Sequence, residues 1–174
     1  TDTNDVTGIM AEAFDRLESG RPLPVHVELP LDVLDQRAAG DPTPREPFIV
    51  VPEPSDEKVE KAAALLADAK RPLIYAGGGA VSSGAAPFVL QLAERLKAPV
   101  LTSIMGKGAI PEDHPLSLGS LWSAGNEVDA YLQRADVVVV IGSKLGAQAT
   151  QMFQMTLPEN LIRIDIDPRE MHLN

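Results

Sequence analysis

The 174 residues, 44% hydrophobic and 23% charged, have the balance of a folded domain of ordinary size and not of a disordered tail. A formal net charge of -10 disfavours binding to nucleic-acid phosphates or to anionic membrane surfaces. The lack of cysteine excludes disulfides, thiolate catalysis and cysteine-based metal sites, and every apolar run is too short to span a bilayer. Since no secretion leader opens the chain, we expect a cytoplasmic protein.

The first 34 residues predict one helix and one strand. Apolar residues recur at helical spacing between Val6 and Leu17, and Gly20 ends this pattern. Residues 24–30 alternate apolar and polar side chains, as in a half-buried strand. Because one helix and one strand cannot close a core, residues 1–34 are predicted to be the C-terminal helix and strand of a preceding domain.

Residues 35–54 are predicted to be a linker between domains. Five prolines fall between residues 42 and 54. Each proline fixes its own φ and biases its predecessor to extended geometry, so the stretch is expected to be semi-rigid and extended.

Residues 55–174 alternate helical and strand patterns. Helices are predicted from Ser55, from about Ser83 and around residues 127–133, and strands at residues 72–76, 99–102, 136–141 and 161–166, with a long loop at 103–120. The nearly continuous valine run of the third strand is typical of a parallel sheet buried on both faces. We therefore predict a nucleotide-binding-like domain with a doubly wound α/β fold: a mainly parallel, Rossmann-like sheet with helices on both faces, which we expect to continue beyond Asn174.

Ligands of such sheets bind beyond the carboxyl ends of the strands, where this chain places Gly77, Gly78 and Gly79. With Ser82 they partly fit the G-x-G-x-x-G dinucleotide pattern, whose glycines let a pyrophosphate approach the backbone. The same glycines would equally serve a tight turn between strand and helix. An NAD site also needs an acidic residue after the next strand, and none follows Thr102, so another nucleotide-like ligand is favoured over NAD.

The remaining post-strand loops allow two interpretations each. Lys107 could meet a phosphate, but a solvated loop lysine is favoured because the P-loop pattern is absent. Residues 142–144 could form a plain turn or a ligand loop. Asp167 is interpreted as a helix cap, whereas Asp165 is kept as a ligand for a ribose or an adenine edge. His114 is interpreted as a surface residue, and we predict no catalytic residue and no metal site.

Several segments together resemble the thiamine diphosphate-dependent enzymes of the acetolactate synthase-like family. Residues 21–25 (RPLPV) and 30–33 (PLDV) resemble the close of that family's pyrimidine-binding domain. The central domain of the family is resembled by residues 71–79 (RPLIYAGGG), 107–116 (KGAIPEDHPL), 135–142 (ADVVVVIG) and 164–168 (IDIDP). Each motif alone is weakly specific, but the ordered set covers nearly the whole chain.

The resemblance implies a parent enzyme that decarboxylates or carboligates a 2-oxo acid with thiamine diphosphate and Mg²⁺. It implies that the activating glutamate lies before Thr1 and the Gly-Asp-Gly motif for Mg²⁺ after Asn174. The segment alone is therefore expected to be inactive, serving as a spacer in a homodimeric or homotetrameric parent. A stand-alone nucleotide-binding module without thiamine chemistry is the alternative.

The resemblance also implies which residues would line FAD or an adenine nucleotide in a central domain: Gly77, Gly78, Gly79, Thr102, Met105, Gly106, Gly142, Ser143, Asp165 and Ile166. Two departures from the synthase pattern count against FAD. Ala124 stands where the pattern has a flavin-side histidine, with Trp122 replacing a glycine nearby. Residues 142–148 (GSKLGAQ) lack the arginines and aspartates of the synthase motif. A decarboxylase or carboligase with an altered or vacant nucleotide site fits better than a true acetolactate synthase.

Overall fold

The computed structural model describes residues 2–37, 51–120 and 127–172. The chain divides into two compact units, Thr1–Glu53 and Pro54–Asn174. The division falls inside the predicted linker, of which residues 38–50 lie outside the described part, as do Trp122 and Ala124. That residues 1–34 belong to a preceding domain stays a prediction.

The first unit contains helix α1, Thr3–Glu18, and the short helix α2, Leu31–Leu34. A capping box starts α1, in which the Asp2 carboxylate accepts the N–H of Asn4 and the Asp5 carboxylate accepts the N–H of Asp2. The strand predicted at residues 24–30 is wrong, since no strand forms among the described residues of this unit. The stretch lacks a neighbouring strand to complete its backbone hydrogen bonds, although Val27 and Leu29 remain partly buried between exposed neighbours.

The second unit is a five-stranded parallel sheet with intervening helices. Its elements are α3 (Asp56–Asp68), β1 (Pro72–Ala76), α4 (Gly78–Ser82), α5 (Ala86–Leu96), β2 (Val100–Thr102), β3 (Ser117–Ser120), α6 (Glu127–Leu132), β4 (Val137–Ile141) and β5 (Asn160–Ile164). Three 3-10 helices, Ile104–Gly106, Ala147–Thr150 and Pro168–His172, lie between or after the strands. The strand order is β3-β2-β1-β4-β5, and every pairing is parallel.

Two hydrophobic cores cover the two faces of the sheet. Ile74 and Ala76 of β1 lie in one core, together with residues of α4 and α5. Leu73 and Tyr75 lie in the other, with residues of α6 and of the chain between β4 and β5. Successive strand residues point to opposite faces, so the apolar runs of β1 and β4 supply both cores. The predicted doubly wound α/β fold is confirmed.

Four local predictions differ from the structure. β3 lies inside the predicted loop. It is not predicted as a strand because its sequence, Ser-Leu-Gly-Ser, lacks the β-branched residues that indicate strands. The helix predicted from about Ser83 begins at Ala86 as α5, and an additional short helix, α4, precedes it. The last strand ends at Ile164, two residues before its predicted end, where Asp165 leaves the sheet. Ser55 precedes α3 as predicted but its side chain makes no capping hydrogen bond.

Candidate functional site

The carboxyl ends of the strands bring the ten predicted binding residues to one edge of the sheet. Gly77–Gly79 follow β1, and Thr102 ends β2, with Met105 and Gly106 in the 3-10 helix just after it. Gly142 and Ser143 follow β4, and Asp165 and Ile166 follow β5. Since β2, β1, β4 and β5 are successive neighbours in the sheet, these connections lie side by side. We call this set of connections the strand-end edge.

The glycines after β1 and β4 pack backbone against backbone. The N–H of Gly77 donates to the carbonyl of Ile141 at 2.8 Å, and the N–H of Gly79 donates to the carbonyl of Gly142 at 2.9 Å. A Cβ on Gly77 would lie 2.3 Å from the Gly142 oxygen, and one on Gly142 would lie 2.4 Å from the nitrogen of Ala80. Gly142 also has φ +61, a conformation that side chains disfavour. Glycine at these positions therefore allows the connections after β1 and β4 to pack closely against each other.

The connection after β2 packs on that after β1 in a similar way. A Cβ on Gly106 would lie 2.1 Å from the carbonyl oxygen of Ala76, which accepts the N–H of Ser103 at 2.9 Å. The Gly106 N–H is directed at both the carbonyl and the hydroxyl oxygen of Ser103, each at 3.0 Å. A Cβ on Gly78 would lie 3.0 Å from the Cβ of Met105, a side chain that is 77% exposed. Met105 therefore borders the triple glycine at the surface.

Two polar side chains near this edge are already engaged within the chain. Thr102 is 4% exposed, and its hydroxyl donates to the carbonyl of Gly119 at 3.1 Å, between β2 and β3. The ammonium group of Lys107 forms a salt bridge with the carboxylate of Glu112. Both groups are exposed, so the preferred interpretation of Lys107 as a surface loop lysine agrees with its position.

The two aspartates after β5 have different roles. Asp167 caps the 3-10 helix Pro168–His172, since its carboxylate accepts the N–H of Arg169 at 3.0 Å, which confirms the predicted cap. The same carboxylate pairs with the Arg169 guanidinium at 2.8 Å, and this hydrogen bond raises the pKa of Arg169. Asp165 is partly buried, and its Oδ1 accepts the N–H of Asp167 at 3.0 Å. Asp165 thus shapes the turn that leaves β5.

The connection between β4 and β5 contains a feature that the sequence analysis missed. Gln151, Met152 and Phe153 all have positive φ, at 52, 59 and 64. Thr150 stabilises this left-handed turn, because its hydroxyl donates to the Gly146 carbonyl and accepts the N–H of Phe153, both at 3.1 Å. No glycine stands among the three residues, so the usual marker of such geometry is absent from the sequence.

A buried tyrosine anchors the same connection. The Tyr75 hydroxyl on β1 donates to the carbonyl of Ala149 at 2.9 Å. Burial raises the pKa of Tyr75 to about 12, so the phenol stays neutral and able to donate. This hydrogen bond links the 3-10 helix Ala147–Thr150 to the central strand.

The described residues offer few groups for catalysis. His114 accepts the N–H of Leu116 at Nδ1, and its Nε2 lies 3.6 Å from the Glu94 carboxylate on α5. Within residues 2–37, 51–120 and 127–172, no three His, Asp or Glu side chains group together as a metal site would require. No helix in these ranges is long and apolar enough to cross a membrane. The main feature of the strand-end edge is therefore the close packing of its backbone.

These observations define the class of the second unit: a parallel α/β domain of Rossmann type whose post-strand connections are interlocked by glycines. Residues 59–174 match the family model described as "Thiamine pyrophosphate enzyme, central domain". The chain therefore belongs to the family of thiamine pyrophosphate enzyme central domains, as the resemblance predicted.

Curated relatives and a solved structure agree with this family. The "Probable acetolactate synthase large subunit" of Methanocaldococcus jannaschii is 39% identical over 170 residues, which cover 93% of this chain. The "Probable 2-ketoarginine decarboxylase" of Pseudomonas aeruginosa is 41% identical over 169 residues, covering 94% of this chain. An X-ray structure assigned to a thiamin diphosphate-dependent enzyme of Mycobacterium smegmatis superposes with a TM-score of 0.78 at 28% identity over 98% of this chain.

The chain is much shorter than these proteins. It spans 29% of the length of both curated relatives and 33% of the chain in the solved structure. The similarity thus concerns one part of each relative.

Proposed function

We propose that this chain is the central part of a thiamine diphosphate-dependent enzyme that decarboxylates or carboligates a 2-oxo acid. The observation that carries the proposal is the family match over residues 59–174, across the whole parallel sheet. It is supported by relatives whose names include both a synthase and a 2-keto acid decarboxylase. No comparison favours the alternative of a stand-alone nucleotide-binding module.

Within the parent, the role proposed for this chain is structural. The resemblance puts the activating glutamate before Thr1 and the Mg²⁺ motif after Asn174. When bound, thiamine diphosphate supplies the ring that stabilises the carbanion left by decarboxylation. The contribution of residues 54–174 is a close-packed sheet with two cores, which would hold the coenzyme-binding domains at a fixed separation and border the substrate entrance. The strand-end residues, from Gly77 to Ile166, remain the predicted lining for any ligand of this domain.

Activity measurements on the full-length enzyme test this proposal. Carbon dioxide release from pyruvate and from 2-ketoarginine should require both thiamine diphosphate and Mg²⁺. The separately expressed 174-residue chain should show no turnover under the same conditions. A full-length protein that is folded and binds thiamine diphosphate, but releases no carbon dioxide from any 2-oxo acid supplied, would contradict the proposed reaction. Turnover by the 174-residue chain alone would contradict the structural role.

Assembly and location are part of the proposal as well. We propose a homodimeric or homotetrameric parent in the cytoplasm, on the basis of the family resemblance and of the sequence. Light scattering coupled to gel filtration should give a mass of two or four subunits for the full-length enzyme, and a monomer with full activity would contradict this.

A further inference from the structure

We infer that the strand-end edge of this domain takes no diphosphate group, because oxygens of this chain already accept the N–H groups of four of its five glycines. This inference rests on the proposed function, since it concerns the ligand of a central domain in a thiamine diphosphate-dependent enzyme. It separates the two interpretations of the triple glycine that the sequence left open.

A glycine-rich phosphate site depends on backbone N–H groups that point at the ligand and lack partners within the protein. After β1 three of these groups are engaged. Gly77 donates to Ile141, Gly79 donates to Gly142, and the N–H of Ala80 donates to the carbonyl of Gly77 at 3.1 Å. The Gly142 oxygen, 2.9 Å from the Gly79 nitrogen, stands where a phosphate oxygen would accept that hydrogen bond.

The neighbouring glycine amides are engaged in the same way. Gly142 donates to the carbonyl of Ile164 at 2.8 Å, which joins the β4 connection to the end of β5. Gly106 donates to the backbone and side-chain oxygens of Ser103. Four of the five glycines among the predicted binding residues thus direct their N–H groups at oxygens of this chain.

The charges near the edge also disfavour a diphosphate. The Lys107 ammonium is paired with Glu112, and the Arg169 guanidinium is paired with Asp167. The stem of Lys144 packs along Gly146, with its Cε 3.3 Å from the position of a Cβ there. The Asp165 carboxylate adds negative charge beside the end of β5, in a chain whose formal net charge is -10. The Arg163 guanidinium donates to the carbonyl of Ser143 at 3.4 Å. Three cations near the edge thus already contact oxygens of this chain, which weakens their attraction for a diphosphate.

Ligand binding to the full-length enzyme tests the inference. The enzyme is first saturated with thiamine diphosphate and Mg²⁺, so that added nucleotides cannot occupy the coenzyme site. Its visible spectrum is then recorded for a flavin band. Calorimetric titrations are made with ADP and with FAD at concentrations up to about 1 mM, so that even a weak complex with a Kd of that order is detected. We expect no flavin band and no heat of binding that depends on the strand-end edge.

A charge variant locates any binding that is observed. Met105→Glu places a carboxylate beside Gly78 at an exposed position, so the fold should tolerate it. Phe88→Glu is the matched control, since Phe88 is also exposed but lies on α5. Binding of ADP or FAD that Met105→Glu weakens tenfold or more, and Phe88→Glu does not, would overturn the inference. Binding that neither variant changes would lie away from this edge and would support it.

The carbon dioxide assay on the same sample keeps the two proposals separate. Absence of turnover would count against the proposed function, whereas nucleotide binding at the strand-end edge would count against this inference, with turnover intact. Each result is read by a different measurement.

Discussion

The two ends of the central strands β1 and β4 are joined by different chemistry. At the carboxyl end, Gly77 and Gly79 pack on Gly142 through backbone atoms alone. At the amino end, the Asp136 carboxylate accepts the N–H of Lys70 at 2.7 Å and that of Arg71 at 2.9 Å. One junction depends on the absence of side chains and the other on a charged side chain. They should therefore fail under different perturbations.

The largest expected effect is at the carboxyl end. Gly142→Ala should lower the free energy of unfolding by about 3 kcal/mol or more, because the new Cβ clashes with the backbone at Ala80 and occupies a positive φ. Urea denaturation followed by circular dichroism measures this loss. Gly146→Ala is the matched control in the same connection, since its Cβ meets only the flexible Lys144 side chain. An equal loss of unfolding free energy in both variants would contradict the close backbone packing of Gly142 against the connection after β1.

The corresponding change at the amino end should cost less. Asp136→Ala removes the acceptor of two backbone N–H groups, and we expect a loss of about 1.5 kcal/mol, the low end for a charged hydrogen bond because the site is partly exposed. Urea denaturation again measures the loss. As a control, Asp113→Ala at an exposed loop position should leave the free energy of unfolding within about 0.5 kcal/mol of that of the unmutated protein. A similar loss in both variants would show that Asp136 has no special role.

Tyr75 links β1 to the chain beyond the carboxyl end of β4, and its removal should have a smaller effect. Tyr75→Phe keeps the buried ring but deletes the hydrogen bond to Ala149, so we expect a loss of about 1 kcal/mol. The pKa of Tyr75 is about 12 in the folded protein, which exceeds its value in the unfolded chain. The free energy of unfolding of the unmutated protein should therefore fall as the pH rises from about 10 to about 12. Denaturation at pH 7 and at pH 11 measures both effects, and Tyr131→Phe is the control. An unchanged alkaline loss in Tyr75→Phe would contradict this assignment.

The difference between the two ends also explains what sequence reasoning could predict. The apolar runs at residues 72–76 and 137–141 predict two central parallel strands, because a strand buried on both faces needs them. The triple glycine allows both a phosphate site and close packing, because the deciding partner, Gly142, lies in a connection that only the folded sheet brings near. The left-handed turn at Gln151–Phe153 has no marker in its residues, and it is stabilised by Thr150 instead.

The errors in predicting strands from the sequence have a similar origin. Residues 24–30 alternate as a strand does, but in the described part of that unit no second strand pairs with them. Ser117–Ser120 lack strand character and yet pair with β2, since Val100 donates its N–H to the Leu116 carbonyl at 2.7 Å. Whether a segment becomes a strand is thus decided by an available edge, which lies outside the segment itself.

The smallest expected effect is the acid sensitivity of the amino end. Burial raises the pKa of Asp136, but the backbone hydrogen bonds from Lys70 and Arg71 and the Arg71 charge outweigh it, so the pKa lies below its ordinary value. A depressed pKa stabilises the fold above the unfolded value of about 3.9, and this stabilisation is lost as the pH falls through the folded pKa. Urea denaturation between pH 6 and pH 3 should therefore show a loss of a few tenths of a kcal/mol that is absent in Asp136→Asn. Gly142→Ala should retain the full acid-dependent loss, because its junction contains no titratable group, and an acid response that disappears in Gly142→Ala but persists in Asp136→Asn would reverse the comparison.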